Sequence, residues 1–216
     1  MRDVEAHNFA QELRLNGELE RARWVAGFYY LWMDTDDRNG FAASEGGPLT
    51  TTLYPFVLSG ITGAPATVLQ NTLPPLEANS MIDLETNSIS IFGQLDVDLT
   101  DQLTFIAGLR TIFEFKDFSY ENAYYANFDD RKVEFDTFVA PGYAPFEGDQ
   151  DQTLWTGKLQ MDYRPNDDWL IYAGINRGVK AGAFNGPVNS GNPRLDDTQF
   201  PYDPEVLTAY EIGFKS

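Results

Sequence analysis

The sequence predicts an all-β chain: an antiparallel segment of a transmembrane β-barrel with about seven long strands, short periplasmic turns and long extracellular loops. Three observations predict it. Apolar residues recur at every second position rather than at helical spacing. The alternating runs reach the length of about nine to eleven residues that a tilted strand needs to cross a bilayer, against a mode of about five to six in ordinary sheets. The stretches between the runs alternate between short and long, an asymmetry that a water-soluble sandwich has no physical reason to keep.

The first run, Asn8 to Asn16, sets Phe9, Gln11, Leu13 and Leu15 on one face against Glu12 and Arg14 on the other, and GELERAR turns the chain. In RWVAGFYYLWMD, Trp24, Ala26, Phe28, Tyr30 and Trp32 alternate with Val25, Gly27, Tyr29 and Leu31. Both faces are apolar there, so this run alone also suits a sandwich core. A Gly-, Pro- and Thr-rich stretch from Asp34 to about Asn87 reads as a long loop. A third strand follows, in which Ile89, Ile91, Leu95, Val97 and Leu99 alternate with Ser90, Phe92, Gln94, Asp96 and Asp98. Thr-Asp-Gln turns it into a fourth, where Leu103, Phe105, Leu109 and Phe113 oppose Thr104, Arg110 and Glu114.

Glu121 to Gln152 reads as the second long loop, ahead of a fifth strand, TLWTGKLQMDYRP, with Trp155, Leu159, Met161 and Tyr163 opposite Lys158, Gln160 and Asp162. Asn166-Asp167-Asp168 is a tight turn into the sixth strand, WLIYAGINRGVKAG. A third loop spans roughly Ala183 to Pro204, and VLTAYEIGFKS begins the seventh strand.

Charge and composition exclude several functions. With 33 acidic against 15 basic residues and a net charge of -18, the chain is a poor partner for nucleic acid, whose binding rests on neutralising phosphates with Lys and Arg. Cysteine is absent and His7 is the only histidine, so disulfides, thiolate chemistry and a histidine-based catalytic centre are missing. No enzyme activity, cofactor or metal is expected. The acidic segment DTDDRNG, Asp34 to Gly40, resembles a calcium turn only loosely, because a calcium loop needs an oxygen ligand at its fifth position and Arg38 stands there. No apolar run is long enough for a transmembrane helix, and no signal segment follows Met1. An outer-membrane location therefore implies a leader upstream.

The succession FAQELRLNG, WVAGFYYL, SIFGQLDVDLTDQLTFIAGLR, LWTGKLQMDYRPNDDWLIYAGINRGVKAGAFNG and PEVLTAYEIGFKS resembles the barrel domain of TonB-dependent receptors of Gram-negative outer membranes, across nearly the whole chain apart from the loop interiors. The resemblance implies a barrel of about 22 strands around a plug, and import of a bulky extracellular solute such as a siderophore, glycan or cobalamin-like compound. It implies as partners outer-membrane lipid, the remainder of the barrel with its plug, the TonB complex through that plug, and a small extracellular solute. Residues 1–216 read as one partial barrel domain without plug or TonB box, a fragment of such a receptor.

Within that frame, Glu12, Arg14, Arg110, Glu114 and Lys158 are expected to face a wet lumen, and Trp24, Trp32, Trp155, Tyr163 and Trp169 to form an interfacial aromatic girdle. Tyr124, Tyr125 and Phe128, in the second long loop among acidic neighbours, are candidates to touch ligand; packing of the loop on itself is the plainer role. The glycines of RGVKAGAFNG fit a bend or close packing at a strand mouth rather than a phosphate cradle. A second reading stands beside the first: a soluble extracellular β-rich ligand-binding module.

Overall fold

The computed structural model describes residues 2–43, 65, 67, 76–126, 145–185 and 197–216. Six strands follow in order: β1 (Arg2–Leu19), β2 (Ala22–Ala43), β3 (Leu76–Asp98), β4 (Leu103–Ala126), β5 (Phe146–Asn166) and β6 (Trp169–Lys180). Two short strands, β7 (Ala183–Phe184) and β8 (Pro201–Tyr202), lie either side of a 3-10 turn at Asp197–Gln199, and β9 (Glu205–Lys215) follows. The seven long strands form one antiparallel sheet in the order β1-β2-β3-β4-β5-β6-β9, while β7 and β8 pair as a separate ribbon. Among the described residues no helix is long and apolar enough to cross a membrane.

Seven antiparallel strands with three tight turns agree with the alternation in the sequence, but the barrel does not. The sheet is neither closed nor strongly curled, and β1 and β9 stand at its two ends without pairing to each other. Closure of a sheet requires its first and last strands to meet, and a small barrel must fit all its inward side chains within a narrow interior. Here one face carries Tyr29, Phe92, Arg110, Ile112 and Tyr172, and the segment containing β7 and β8 packs on that same face through Phe184 and Phe200. That segment thus covers one end of the face that a barrel would turn inward. The expectation of a transmembrane β-barrel is corrected to an open antiparallel sheet.

The strands also run further than their hydrophobic alternation. Asp34 to Gly40 do not turn; they continue β2, paired with Glu85 to Asn79 of β3. Likewise Tyr124 and Tyr125 belong to β4, opposite Ala78 and Glu77, rather than to a loop. Phe128 lies outside the described residues.

Register and the two-residue side-chain period assign every residue to a face. One face is apolar over most of its length. One of its rows runs Trp24, Leu95, Ala107, Leu159, Ile175 and Tyr210; another runs Phe28, Ile91, Thr111 and Trp155. Many of these side chains are exposed, among them Leu13, Ile91, Leu109, Leu159 and Ile212. Toward the end away from the tight turns that face turns acidic, with Asp34, Glu85, Asp117 and Asp149 abreast in one row and Asp36, Asp83 and Glu147 in the next.

The buried aromatic core sits behind this acidic patch, on the opposite face. Phe118, Tyr120 and Phe200 are buried there, with Ile82, Leu84, Phe146 and Phe184 packed around them. Phe118 stacks on Phe184 with centroids 4.7 Å apart, and Phe146 on Phe200 at 4.2 Å. Residues 181–185 and 197–204 are therefore a strap laid over the sheet. Lys116 donates to Gly182 O at 2.8 Å, Gln150 Nε2 to Tyr202 O at 3.2 Å, and Gly182 N to Gln152 Oε1 at 2.9 Å. A side chain at Gly182 would run into Tyr202 O, so its glycine permits the close approach on which the strap depends.

Candidate functional site

The second face of the sheet is polar, and its centre gathers charged and aromatic side chains from strands far apart in sequence. One cross-strand row reads Arg14, Gly27, Phe92, Arg110 and Thr156. Phe92 lies over Gly27, where a methyl group would collide with its ring, so the absent side chain lets the ring lie flat against β2. Cations flank that ring on two sides: the Arg14 guanidinium is 5.8 Å from its centroid and the Arg110 guanidinium also 5.8 Å. Arg110 is in addition 5.2 Å from the ring centroid of Tyr29, one row along. These distances are those of cation–π attraction.

The cations differ in what else they meet. Arg14 Nη2 pairs with Glu12 Oε1 at 2.6 Å, two residues away on the same face. Arg110 has no carboxylate partner among the described residues, and its Nε is buried without a hydrogen-bond acceptor. Lys158, half-buried in the next row, forms no hydrogen bond or ion pair among the described residues. Asn176 is paired with Lys158 across the strands and donates to Glu211 Oε2 at 3.4 Å. A depression of about 480 Å³ covers this area, with Arg110, Thr156, Lys158 and Asn176 in its wall.

The five residues expected to face a lumen are thus all on the polar face, though not as one cluster. Glu12, Arg14, Arg110 and Lys158 belong to the central rows; Glu114 lies two rows from Arg110 along β4, in an ion pair with Lys116 under the strap. The five girdle candidates share the apolar face but not one level. Trp24 and Tyr163 lie toward the turn end, and Trp169 is stacked on Phe214 at 5.9 Å. Trp155 is mid-strand, with Arg177 over its ring at 3.8 Å, and Trp32 marks the border of the acidic rows, donating Nε1–H to Glu85 at 3.0 Å. Sequence reasoning missed Tyr29, Phe92 and the strap aromatics as site residues, since only cross-strand register brings them to Arg110 and to one another.

The acidic end carries a second depression, about 490 Å³, lined by Asp34, Asp83, Glu85, Asp117 and Asp149 among others. The Asp36 carboxyl is pushed above its ordinary value by sharing a hydrogen bond with Asp83 and by that neighbour's charge. Among the described residues no group of three or more His, Cys, Asp or Glu side chains is arranged to hold a metal ion.

Compared with known proteins, residues 3–216 match the family model described as TonB dependent receptor-like, beta-barrel. No curated protein matches in sequence. Among solved structures, the ferric yersiniabactin uptake receptor FyuA from Yersinia pestis is similar over 99% of this chain and 26% of its own, with a TM-score of 0.64 at 18% identity. The attachment invasion locus protein Ail of Yersinia pestis aligns over 99% of this chain and 95% of its own with a TM-score of 0.23 and 9% identity, too low for any inference. The likeness to FyuA is one of fold, and the chain spans about a quarter of that receptor's length.

Proposed function

Because this chain belongs to the TonB dependent receptor-like β-barrel family, a family of the Gram-negative outer membrane, we propose that it is an extracellular β-rich ligand-binding module that holds a small solute on the polar face of its sheet. The second of the two readings drawn from the sequence is thereby preferred. The first, import through a transmembrane barrel, is corrected by the open sheet: without closure there is no enclosed path for a solute. The family is one of transporters rather than enzymes, and the chain is not an enzyme.

One observation carries the reading. The centre of the polar face combines aromatic surface with polar donors that the protein itself leaves unused, at Arg110 and Lys158, beside a depression of ligand size. Small-molecule sites have this character: an apolar or aromatic wall with a few placed polar groups that fix orientation. The apolar face carries one cation at its middle, Arg177, which donates to Trp155 O and lies over the Trp155 ring, and an exposed patch of that extent marks an interaction surface.

Two substitutions on neighbouring residues separate the faces. Gly108 points to the polar depression, where a Cβ would meet Gln94 at ordinary contact distance, and Leu109 points the other way. With the purified chain titrated against a panel of small anionic and neutral solutes, Gly108→Trp is expected to weaken binding by about tenfold or more, ~1.4 kcal/mol, and Leu109→Trp to leave it unchanged. Equal effects of the two, or an effect of Leu109→Trp alone, would remove the polar face as the site.

A further inference from the structure

We propose that the group recognised on the polar face is an oxyanion, a carboxylate or phosphate carried by the solute, taken by Arg110 and Lys158. The inference rests on the ligand-binding reading above and names the chemistry of its ligand. It runs against the charge of the whole chain, -18, and for that reason the local arrangement has to carry it.

Register places Arg110 opposite Thr156 and Lys158 opposite Gly108, so the two cations are diagonal neighbours on adjacent strands. Diagonal positions on one face have Cα atoms about 7–8 Å apart, within reach of a shared small anion for side chains of this length. Gly108, between them in β4, has no side chain to obstruct the approach. Arg110 is held in place by Tyr29 at 5.2 Å and Phe92 at 5.8 Å rather than by a carboxylate. Cation–π attraction holds a guanidinium without using its N–H donors, and a guanidinium can meet a carboxylate or phosphate through two parallel N–H groups.

Six other cations are neutralised: Arg14 with Glu12, Arg21 with Asp101, Arg23 with Asp98, Lys116 with Glu114, Arg164 with Asp162 and Lys180 with Glu205. Arg177 lies over Trp155 instead, and in a protein with more than two carboxylates for each cation Arg110 and Lys158 stand diagonal to each other in one depression without any among the described residues. The acidic groups facing the same area are already engaged, Glu12 by Arg14 and Glu211 by Asn176. Neutral donors complete the wall at Thr156 and Asn176. A neutral solute would leave two half-buried cations unanswered, a costly arrangement; an oxyanion answers both.

The test is calorimetric titration of the full chain with citrate, inorganic phosphate and the neutral trisaccharide raffinose, together with cosedimentation on vesicles of phosphatidylglycerol or of phosphatidylcholine. Citrate or phosphate is expected to bind with an affinity that falls as salt rises. Lys158→Gln, at a side chain with no hydrogen bond or ion pair among the described residues, is expected to weaken it about tenfold, and Arg110→Lys, which keeps the charge but loses the planar fork, by a similar factor. Preferential capture of phosphatidylglycerol vesicles, lost in the same variants, would identify a lipid headgroup as the source of the oxyanion; soluble anion binding without it identifies a free solute. Raffinose bound and abolished by Gly108→Trp, with no anion binding, would overturn the oxyanion and keep the ligand-binding reading. Binding of no probe at all would overturn both. Anion binding indifferent to Arg110→Lys and Lys158→Gln would overturn this assignment alone.

Discussion

The two ends of the sheet handle charge in opposite ways. At the tight-turn end many polar groups are answered. Arg23 grips Asp98 with two hydrogen bonds of 2.9 and 3.2 Å, and Thr104 adds a third at 2.7 Å. Thr100 Oγ1 accepts from the backbone of Gln102 and Leu103, and Asn166 Oδ1 from that of Asp168 and Trp169. Adjacent turns are tied together, Asp98 N to Arg21 O at 2.8 Å and Arg164 N to Gln102 O at 2.7 Å. At the opposite end, by contrast, carboxylates stand abreast on one face while an aromatic strap covers the other. The net charge is therefore not spread evenly. Stability at the turn end comes from local hydrogen bonds, and at the far end from apolar burial that works in spite of repulsion beside it.

The strap offers the largest way to break this contrast. Phe200 is 3% exposed and stacked on Phe146, so Phe200→Ala is expected to cost about 3–5 kcal/mol in denaturant unfolding, as for other buried aromatic truncations. Hydrogen exchange should then rise selectively at Gly182 and Asn185. Loss of protection at the turns as well would mean that the two ends do not act separately. A smaller effect is expected at the other end: Asn166→Ala removes the acceptor for two backbone amides and should cost about 1 kcal/mol, leaving protection under the strap intact.

Acidity sharpens the comparison further, because the two ends respond with opposite sign. Asp98 is held below its ordinary 3.8 by the hydrogen bonds from Arg23 and Thr104. Its contribution is complete above that value and is lost as pH falls through the depressed one. Asp36 is raised above 3.8 by Asp83, so folding carries no penalty from it below 3.8 and gains one as pH climbs through the raised value. Urea midpoints measured across this range should lose part of their acid-side fall in Asp98→Asn and part of their decline on the rising side in Asp36→Asn. Identical profiles for the two variants would contradict the assignment. The smallest effect belongs to Arg21→Ala. Its pair with Asp101 is exposed on both sides, 62% and 93%, and its removal should leave the midpoint unchanged within error.

How much of this was legible in the sequence follows from the same contrast. Strand number, the tight turns and the sorting of faces in the middle of the sheet follow from alternation, since Leu109 and Arg110 differ as strongly as neighbours can. The outer thirds of β2, β3 and β4 did not follow. Where one face turns acidic, as at Asp34, Asp36, Asp83 and Asp117, the apolar-polar period disappears although strand pairing continues, and the segments read as loop. The cluster of Tyr29, Phe92 and Arg110 needed register that no single strand contains. The strap needed a contact between Phe118 and Phe184, which alternation within a strand says nothing about. Closure was beyond alternation too: a period of two says which face a residue takes, not whether the first strand meets the last.

The base of the strap has a practical consequence. Asn185 N donates to Phe200 O at 2.6 Å and its side-chain amide to Gln199 O at 2.9 Å, so the chain that leaves at Asn185 is fastened to the chain that returns before β8. Whatever is spliced between those two stems begins and ends at anchored points. The entropy of closing a loop grows only slowly with its length, by about 0.6 kcal/mol for each doubling. A foreign epitope or reporter peptide placed there, after Asn185 and before Asp197, should be carried at little expense to the fold, which makes this stem pair an entry port for engineering.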